Sequence, residues 1–312
     1  LTADFARNLP TDAEGVHRDR CICCGSPALL REWAALSTFF ARRALLRAPR
    51  AVPLIHCSEC NSRYFDLPVS EADLGRLYAD YRGESYFRQR NRFEPWYTRA
   101  VNESIGSETS LDKRRAVLAQ ALAECGIANE FDTALDHGGD RGQMLRDVTA
   151  QQKFVYEISG VTPDPGIRSI SQAAIRTKTW GLILSCHVLE HLPDPGRYID
   201  ELIALGDAET VYFFEVPDEA FRSPRFNSTA AQRIWISQIV KWPPVFTLLD
   251  FLSTAIRIKL RVVPPLLFVA LREHLTFFST AGLRRLLEAK RLQVLSAKIL
   301  PSGHIGVVAR RA

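Results

Sequence analysis

The chain has 312 residues, 46% of them hydrophobic and 24% charged, with a net charge of +5. That composition suits one large globular domain with a smaller one beside it and excludes a disordered or collagen-like chain. No stretch approaches 18 uncharged apolar residues, no secretory leader is read, and the mild charge forms no basic stripe. Membrane spans, export and nucleic-acid binding are therefore not expected, and the chain is placed in the cytoplasm.

Residues 1–20 read as a polar, flexible lead. Two Cys-x-x-Cys pairs follow, Cys21-Ile22-Cys23-Cys24 and Cys57-Ser58-Glu59-Cys60. In a chain without a leader such pairs point to metal ligands, not disulfides. Cys21, Cys24, Cys57 and Cys60 are predicted to hold one structural Zn2+, with Cys23 and His56 as spare neighbours. A closed four-thiolate site has no open position, so its role is folding and not chemistry. This zinc-binding module spans 21–68, and residues 30–46 within it read as a helical insert.

Residues 69–110 form a helical, aromatic connector. Ser70-Glu71-Ala72-Asp73 reads as a helix start with a capping carboxylate. Tyr78, Tyr81, Tyr86, Phe87, Trp96 and Tyr97 alternate with Arg82, Arg88, Arg90 and Arg92. Two readings stand. The segment packs its aromatics on the main domain, or it is a substrate-facing lid whose arginines hold a phosphorylated group.

The main domain, 111–312, opens with an amphipathic helix over 111–125. A strand over 131–135 ends at Asp136, passes a turn holding Gly138, Gly139 and Gly142, and leads into a helical pattern. A second strand, 153–158, carries Glu157, 21 residues after Asp136. This is the layout of a nucleotide-binding βαβ unit, with glycines for close backbone approach and a carboxylate for ribose hydroxyls. Strands over 181–186 and 210–216 flank a helix over 195–205. Residues 218–272 read as a helical insertion. In it Thr247, Asp250, Thr254, Arg257 and Arg261 form a polar stripe on an apolar helix bracketed by Pro243-Pro244 and Pro264-Pro265. It is either a lid on the main domain or, through 243–270, a contact with a membrane surface or lipid-linked substrate. A helix over 280–290 and strands over 292–299 and 304–309 close the chain. The alternation predicts a doubly wound, mostly parallel α/β sheet.

The 181–186 strand runs straight into His187-Val188-Leu189-Glu190-His191-Leu192-Pro193-Asp194-Pro195. With the Gly-rich unit, this resembles the class I S-adenosylmethionine-dependent methyltransferases, in particular a branch with a His-Val-Leu-Glu-His signature. The cysteine pairs with Leu77-Tyr78 and Tyr81, the Glu215-Val216-Pro217-Asp218 segment, and Glu273-His274-Leu275-Thr276-Phe277-Phe278-Ser279 extend the resemblance to the sugar-methylating members. His187–His191 also spells a zinc-peptidase pattern, but the preceding strand and Pro193 leave no helix to present it.

The resemblance implies a seven-stranded Rossmann-like sheet with S-adenosylmethionine as cofactor. It places the cofactor on Asp136, Gly138, Gly139, Gly142 and Glu157, with His187, Glu190 and His191 shaping the pocket. It also implies His274 as acceptor base, Glu273 as an orienting or alternative group, and Tyr81 lining the acceptor. Two departures stand out: Asp140 replaces the middle glycine of the family loop, and only a short stretch is left for the third strand. The implied function is methylation of a sugar, as a nucleotide-sugar or surface polysaccharide intermediate. Another small metabolite, a lipid-linked intermediate, or a catalytically silent assembly protein are the alternatives. The last draws support from Asp140.

Overall fold

The computed structural model describes residues 18–312 except Arg82 and Gly106. The expectations for Arg82 and for the lead up to residue 17 lie outside the described residues.

β1 (Leu29–Leu36) and β2 (Ala51–Cys57) pair antiparallel around α1 (Thr38–Arg43), and β3 (Arg63–Phe65) adds to β2. The helix expected over 30–46 is therefore half strand. Ladder bonds to β2 engage the backbone as far as Ala35, and Ala34, Ala35 and Leu36 are fully buried. Tertiary pairing overrides local propensity here. Only after Ser37, whose hydroxyl accepts from the Phe40 N–H, does the helix begin.

α2 (Glu71–Tyr78) starts with the expected capping box, Ser70 and Asp73 bonding reciprocally. α3 (Glu84–Phe93), α4 (Arg99–Ser104) and α5 (Glu108–Glu124) lead to β4 (Glu130–His137) and β5 (Thr149–Tyr156). The helix expected between these strands does not form. The turn holds one 3-10 element, Gln143–Leu145, because Gly142 sits at φ +77° and Met144 and Leu145 tuck into the core shared with α5. Next come β6 (Arg168–Ser169), as abbreviated as the sequence requires, α6 (Gln172–Ile175), β7 (Leu182–Cys186), α7 (Pro195–Ile203) and β8 (Val211–Pro217). The insertion forms α8 (Ala230–Ile239) and α9 (Pro243–Leu260). β9 (Ala270–Leu271), β10 (Thr276–Phe277), α10 (Thr280–Ala289), β11 (Leu292–Ile299) and β12 (His304–Arg311) end the chain.

Two sheets result. The seven-stranded sheet has the order β11-β12-β8-β7-β4-β5-β6, parallel except for β12, which runs antiparallel to both neighbours. Leu135, Ile183 and Phe214 face one core; Ala134, Leu184 and Phe213 face the other. Burial on both faces explains why these strands read as unbroken apolar runs. The order reverses at β4, so the carboxyl ends of β4 and β7 flank the crevice where such sheets bind ligands. The second sheet, β10-β3-β2-β1-β9, takes two strands from the C-terminal half of the chain. β3 pairs with β10, and the Ser62 hydroxyl accepts from the Ser279 N–H at 3.1 Å.

Candidate active site

The carboxyl ends of β4, β7 and β8 deliver Asp136, His187 and Glu215 to one edge of the sheet. Asp136 is fully buried, and neither carboxylate oxygen has a hydrogen-bond partner. Burial pushes its pKa up to about 7, with Arg114 opposing and the Glu157 and Asp140 carboxylates adding to the rise. Gly139 must be glycine because a Cβ there would lie 2.1 Å from the Asp136 carboxyl carbon, and one on Gly138 would strike Val188 at 2.7 Å. Asp140 adopts φ +55°, the left-handed region a glycine would take without cost. Its N–H donates to Glu157 at 3.1 Å, and the Ser159 N–H donates to the other Glu157 oxygen at 2.9 Å. Glu157, immediately past β5, thus clasps the Gly-rich turn. These residues fit S-adenosylmethionine in charge and shape: a buried carboxylate without a donor, a turn bare of side chains at Gly138 and Gly139, and an acid at the end of the next strand.

His187 follows β7 at φ +59°, a strained position for a non-glycine residue. Its ring lies 3.3 Å from Glu190 and 3.5 Å from Glu215, and packs edge-on to His304 at 4.6 Å. Burial lowers the His187 pKa, but the two carboxylates more than reverse that. Glu215 also binds Arg114 at 2.9 Å and His304 at 3.0 Å; against its burial, His187, His304 and Arg114 together hold its pKa far below the usual range. Glu190 is 1% exposed with no hydrogen bond to either oxygen. Burial opposes its charge, and His187 and His191 preserve it.

His191 turns toward the connector. Its Nδ1 lies 2.7 Å from the Tyr78 hydroxyl and 3.2 Å from the Glu273 carbonyl, and its ring packs against His274 at 4.8 Å. Burial, with His274 beside it, lowers its pKa. Tyr81 stacks edge-on between Tyr78 and Tyr86 at 5.4 and 5.2 Å. Glu273 is committed elsewhere: its carboxylate takes bonds from the Tyr86 hydroxyl and from Arg90 at 2.8 Å. Arg90 also binds Glu94 at 3.1 Å, so this buried arginine is occupied by protein carboxylates.

The partner that orients His274 is Glu219, just past β8, which bonds its Nδ1 and also meets Arg257 of α9 at 3.4 Å. Burial pulls the His274 pKa down, but the Glu219 carboxylate raises it to about 9. Glu219 is correspondingly held well below the carboxylate range. An imidazole anchored at Nδ1 by a carboxylate keeps Nε2 for proton transfer. Glu219 and Arg114 were missed from sequence, and Tyr78 was singled out there only as a connector aromatic. Glu219 had one signal available: it follows the Glu215–Asp218 segment by a single residue. A groove at the opposite end of the sheet, beside Glu130, Trp180 and Arg310, holds none of these side chains.

The four predicted cysteines meet in one cluster with all ligand atoms within 4.8 Å of one another. Cys21 and Cys60 sulfurs are 3.7 Å apart, Cys24 and Cys57 3.6 Å. Four sulfurs about 2.3 Å from a tetrahedral ion sit about 3.8 Å apart, so the set fits zinc. Cys23 is buried beside Cys21, and its N–H points to that sulfur at 3.4 Å; His56 bonds Asn61 at 2.9 Å.

A family model described as a methyltransferase domain matches residues 110–297, more than half of the chain. No curated protein sequence matches. Among solved structures, the chain is similar to the 1,6-didemethyltoxoflavin N1-methyltransferase of Burkholderia thailandensis, bound to S-adenosylhomocysteine. The identity is 14%, covering 82% of this chain and 96% of that one, with a TM-score of 0.44. It is also similar to the magnesium protoporphyrin IX methyltransferase of Synechocystis PCC 6803, at 12% identity, 77% and 93% coverage, and a TM-score of 0.39.

Proposed function

Because this chain belongs to the methyltransferase-domain family, whose donor is S-adenosylmethionine, we propose that it methylates a sugar, as a nucleotide-sugar or a surface polysaccharide intermediate, with His274 as base. The observation that carries the base assignment is the Glu219–His274 pair at the ligand edge of the sheet, beside His191 and the connector tyrosines. The sugar acceptor rests on the resemblance of the cysteine pairs with Leu77-Tyr78 and Tyr81, together with the Glu273–Ser279 segment, to sugar-methylating members.

When bound, S-adenosylmethionine supplies an electrophilic methyl group on a sulfonium. Asp136 and the Gly-rich turn would hold its amino-acid end, and Glu157 its ribose hydroxyls. His274 removes the acceptor proton through Nε2, and Glu219 fixes the ring and stabilises the imidazolium that forms. With a pKa about 9, His274 is mostly protonated at neutral pH, so turnover climbs until about pH 9. Tyr81 and Tyr78 wall the acceptor from the connector side. Zn2+ on Cys21, Cys24, Cys57 and Cys60 would brace the module and take no part in the transfer.

A second reading, a lipid-linked acceptor, is favoured by the outward apolar face of α9. Titration calorimetry with S-adenosylmethionine, followed by methyl-transfer assays on nucleotide-sugars and lipid-linked glycans, tests both. Binding with turnover of a sugar supports the proposal. Absence of cofactor binding favours the silent assembly protein instead, and turnover of non-sugar acceptors alone refutes the sugar assignment.

A further inference from the structure

α9 turns its polar stripe inward. Asp250 is 3% and Ser253 1% exposed. Asp250 pairs with Arg272 at 2.6 Å, Ser253 donates to the Phe268 carbonyl at 2.5 Å, and Arg257 reaches Glu219. The opposite side is apolar and faces out, with Leu248 57%, Leu252 40% and Ile258 65% exposed, and Trp242 and Leu260 stand exposed at the two ends of the helix. Ile234 of α8 and Leu266 after α9 are also exposed. A helix whose outer face meets only water has the reverse arrangement, polar out and apolar in.

The exposed charges carried by α8 and α9 themselves are of one sign. Lys241 and Lys259 stand exposed at the two ends of α9; Arg261, just beyond, pairs with Asp218 at 3.2 Å. Asp250, the sole acid between residues 230 and 261, is buried against Arg272. α9 has 18 residues, and no helix among the described residues is long and apolar enough to cross a membrane. An apolar helix face with a tryptophan at one end and cations at both suits the headgroup layer of a bilayer. A second copy of the chain fits worse. A two-fold contact would set patch on patch, bringing Lys241 and Lys259 against the same charges with no exposed acid on either helix to pair them.

We propose that the α8–α9 face docks on an anionic lipid surface, with α9 lying flat at headgroup depth. The docking stands independently of the methyl-transfer reading. It would bring the membrane next to the helix that delivers Arg257 to Glu219.

The test is co-sedimentation of the full chain with phosphatidylcholine vesicles, with and without phosphatidylglycerol, at low and high salt. The chain should bind the anionic vesicles, release in salt and leave the neutral ones in solution. Leu248→Glu with Leu252→Glu should abolish binding. Lys241→Glu with Lys259→Glu should weaken it about 20-fold or more, as each cation near an anionic surface contributes about fivefold. These side chains are exposed, so unchanged circular dichroism melts are expected and are checked. Failure to bind anionic vesicles overturns the proposal, as does equal binding to neutral ones. So does lipid-free self-association, seen by sedimentation velocity, that the double leucine variant abolishes.

Discussion

Glu219→Gln isolates the dyad without needing the acceptor. Glutamine keeps the shape of Glu219 and removes its charge. A histidine held at about 9 in the folded chain, against 6.5 when free, stabilises the fold by about 3 kcal/mol below pH 6. The sign follows from the raised value: the contribution is full below 6.5 and is lost as pH rises through 9. Both side chains are partly exposed, 27% for His274 and 23% for Glu219, so screening trims the effect to about 2 kcal/mol at pH 7. Urea unfolding of the wild type and Glu219→Gln at pH 6, 7, 8 and 10 reads it directly. The wild-type advantage should shrink by about 2 kcal/mol between pH 7 and 10. Loss of the Arg257 contact adds only a constant offset, since arginine does not titrate in this range. Histidine NMR titration should show one imidazole moving from about 9 toward 6.5. An advantage that stays flat across pH would refute the pairing and, with it, His274 as an oriented base.

Metal analysis of protein purified without added zinc should give about one equivalent per chain, and Cys57→Ser with Cys60→Ser should lose it and unfold the module. Retained metal in that variant would move the site elsewhere. Glu157→Ala should weaken S-adenosylmethionine binding by roughly 1–3 kcal/mol by calorimetry. Glu157→Gln, which can still accept the Asp140 and Ser159 N–H groups, separates ribose contact from loop support: full affinity there would assign Glu157 to the loop alone. Asp136 has a folded pKa raised to about 7, so its burial costs stability that grows as pH rises from 3.8 toward 7. Asp136→Asn should therefore raise chemical stability at pH 8, by about 2–4 kcal/mol, while abolishing cofactor binding. A variant that is less stable and binds normally would contradict both roles.

The inner strands β7, β8 and β12 of the larger sheet were legible because they are buried on both faces; β6 was expected only as a short element, and the count of seven came from the resemblance. β11 occupies the span expected for it, and the neighbouring strands and helices shift by only a few residues. β1 was not legible: its ladder to β2 is a long-range fact, and Leu30–Leu46 carries enough Ala, Leu and Arg to read as helix. The missing helix after Gly142 had the same origin, since α5 already fills that face. At the site, the sequence named His274 but not Glu219, because the two lie 55 residues apart and meet only when the insertion folds back. The polar stripe of α9 was visible as a period; which way it faced was not, since a stripe on a helix is the same pattern whether it meets water or Arg272.

The second sheet also sets a timetable. Ser62 and Ser279, 217 residues apart, touch across the β3–β10 pairing. At 5–20 residues per second, a ribosome needs roughly 10–40 s to make the chain between them. Through that interval β1, β2 and β3 have no β9 or β10 beside them, and the outer backbone of β3 is an open sheet edge. The cysteine knuckles, however, are complete by residue 60. Zinc captured there would hold the nascent sheet in register until its last strands arrive. Metal scarcity should therefore act during synthesis, as aggregation of unfinished chains, before it is ever seen as lost activity.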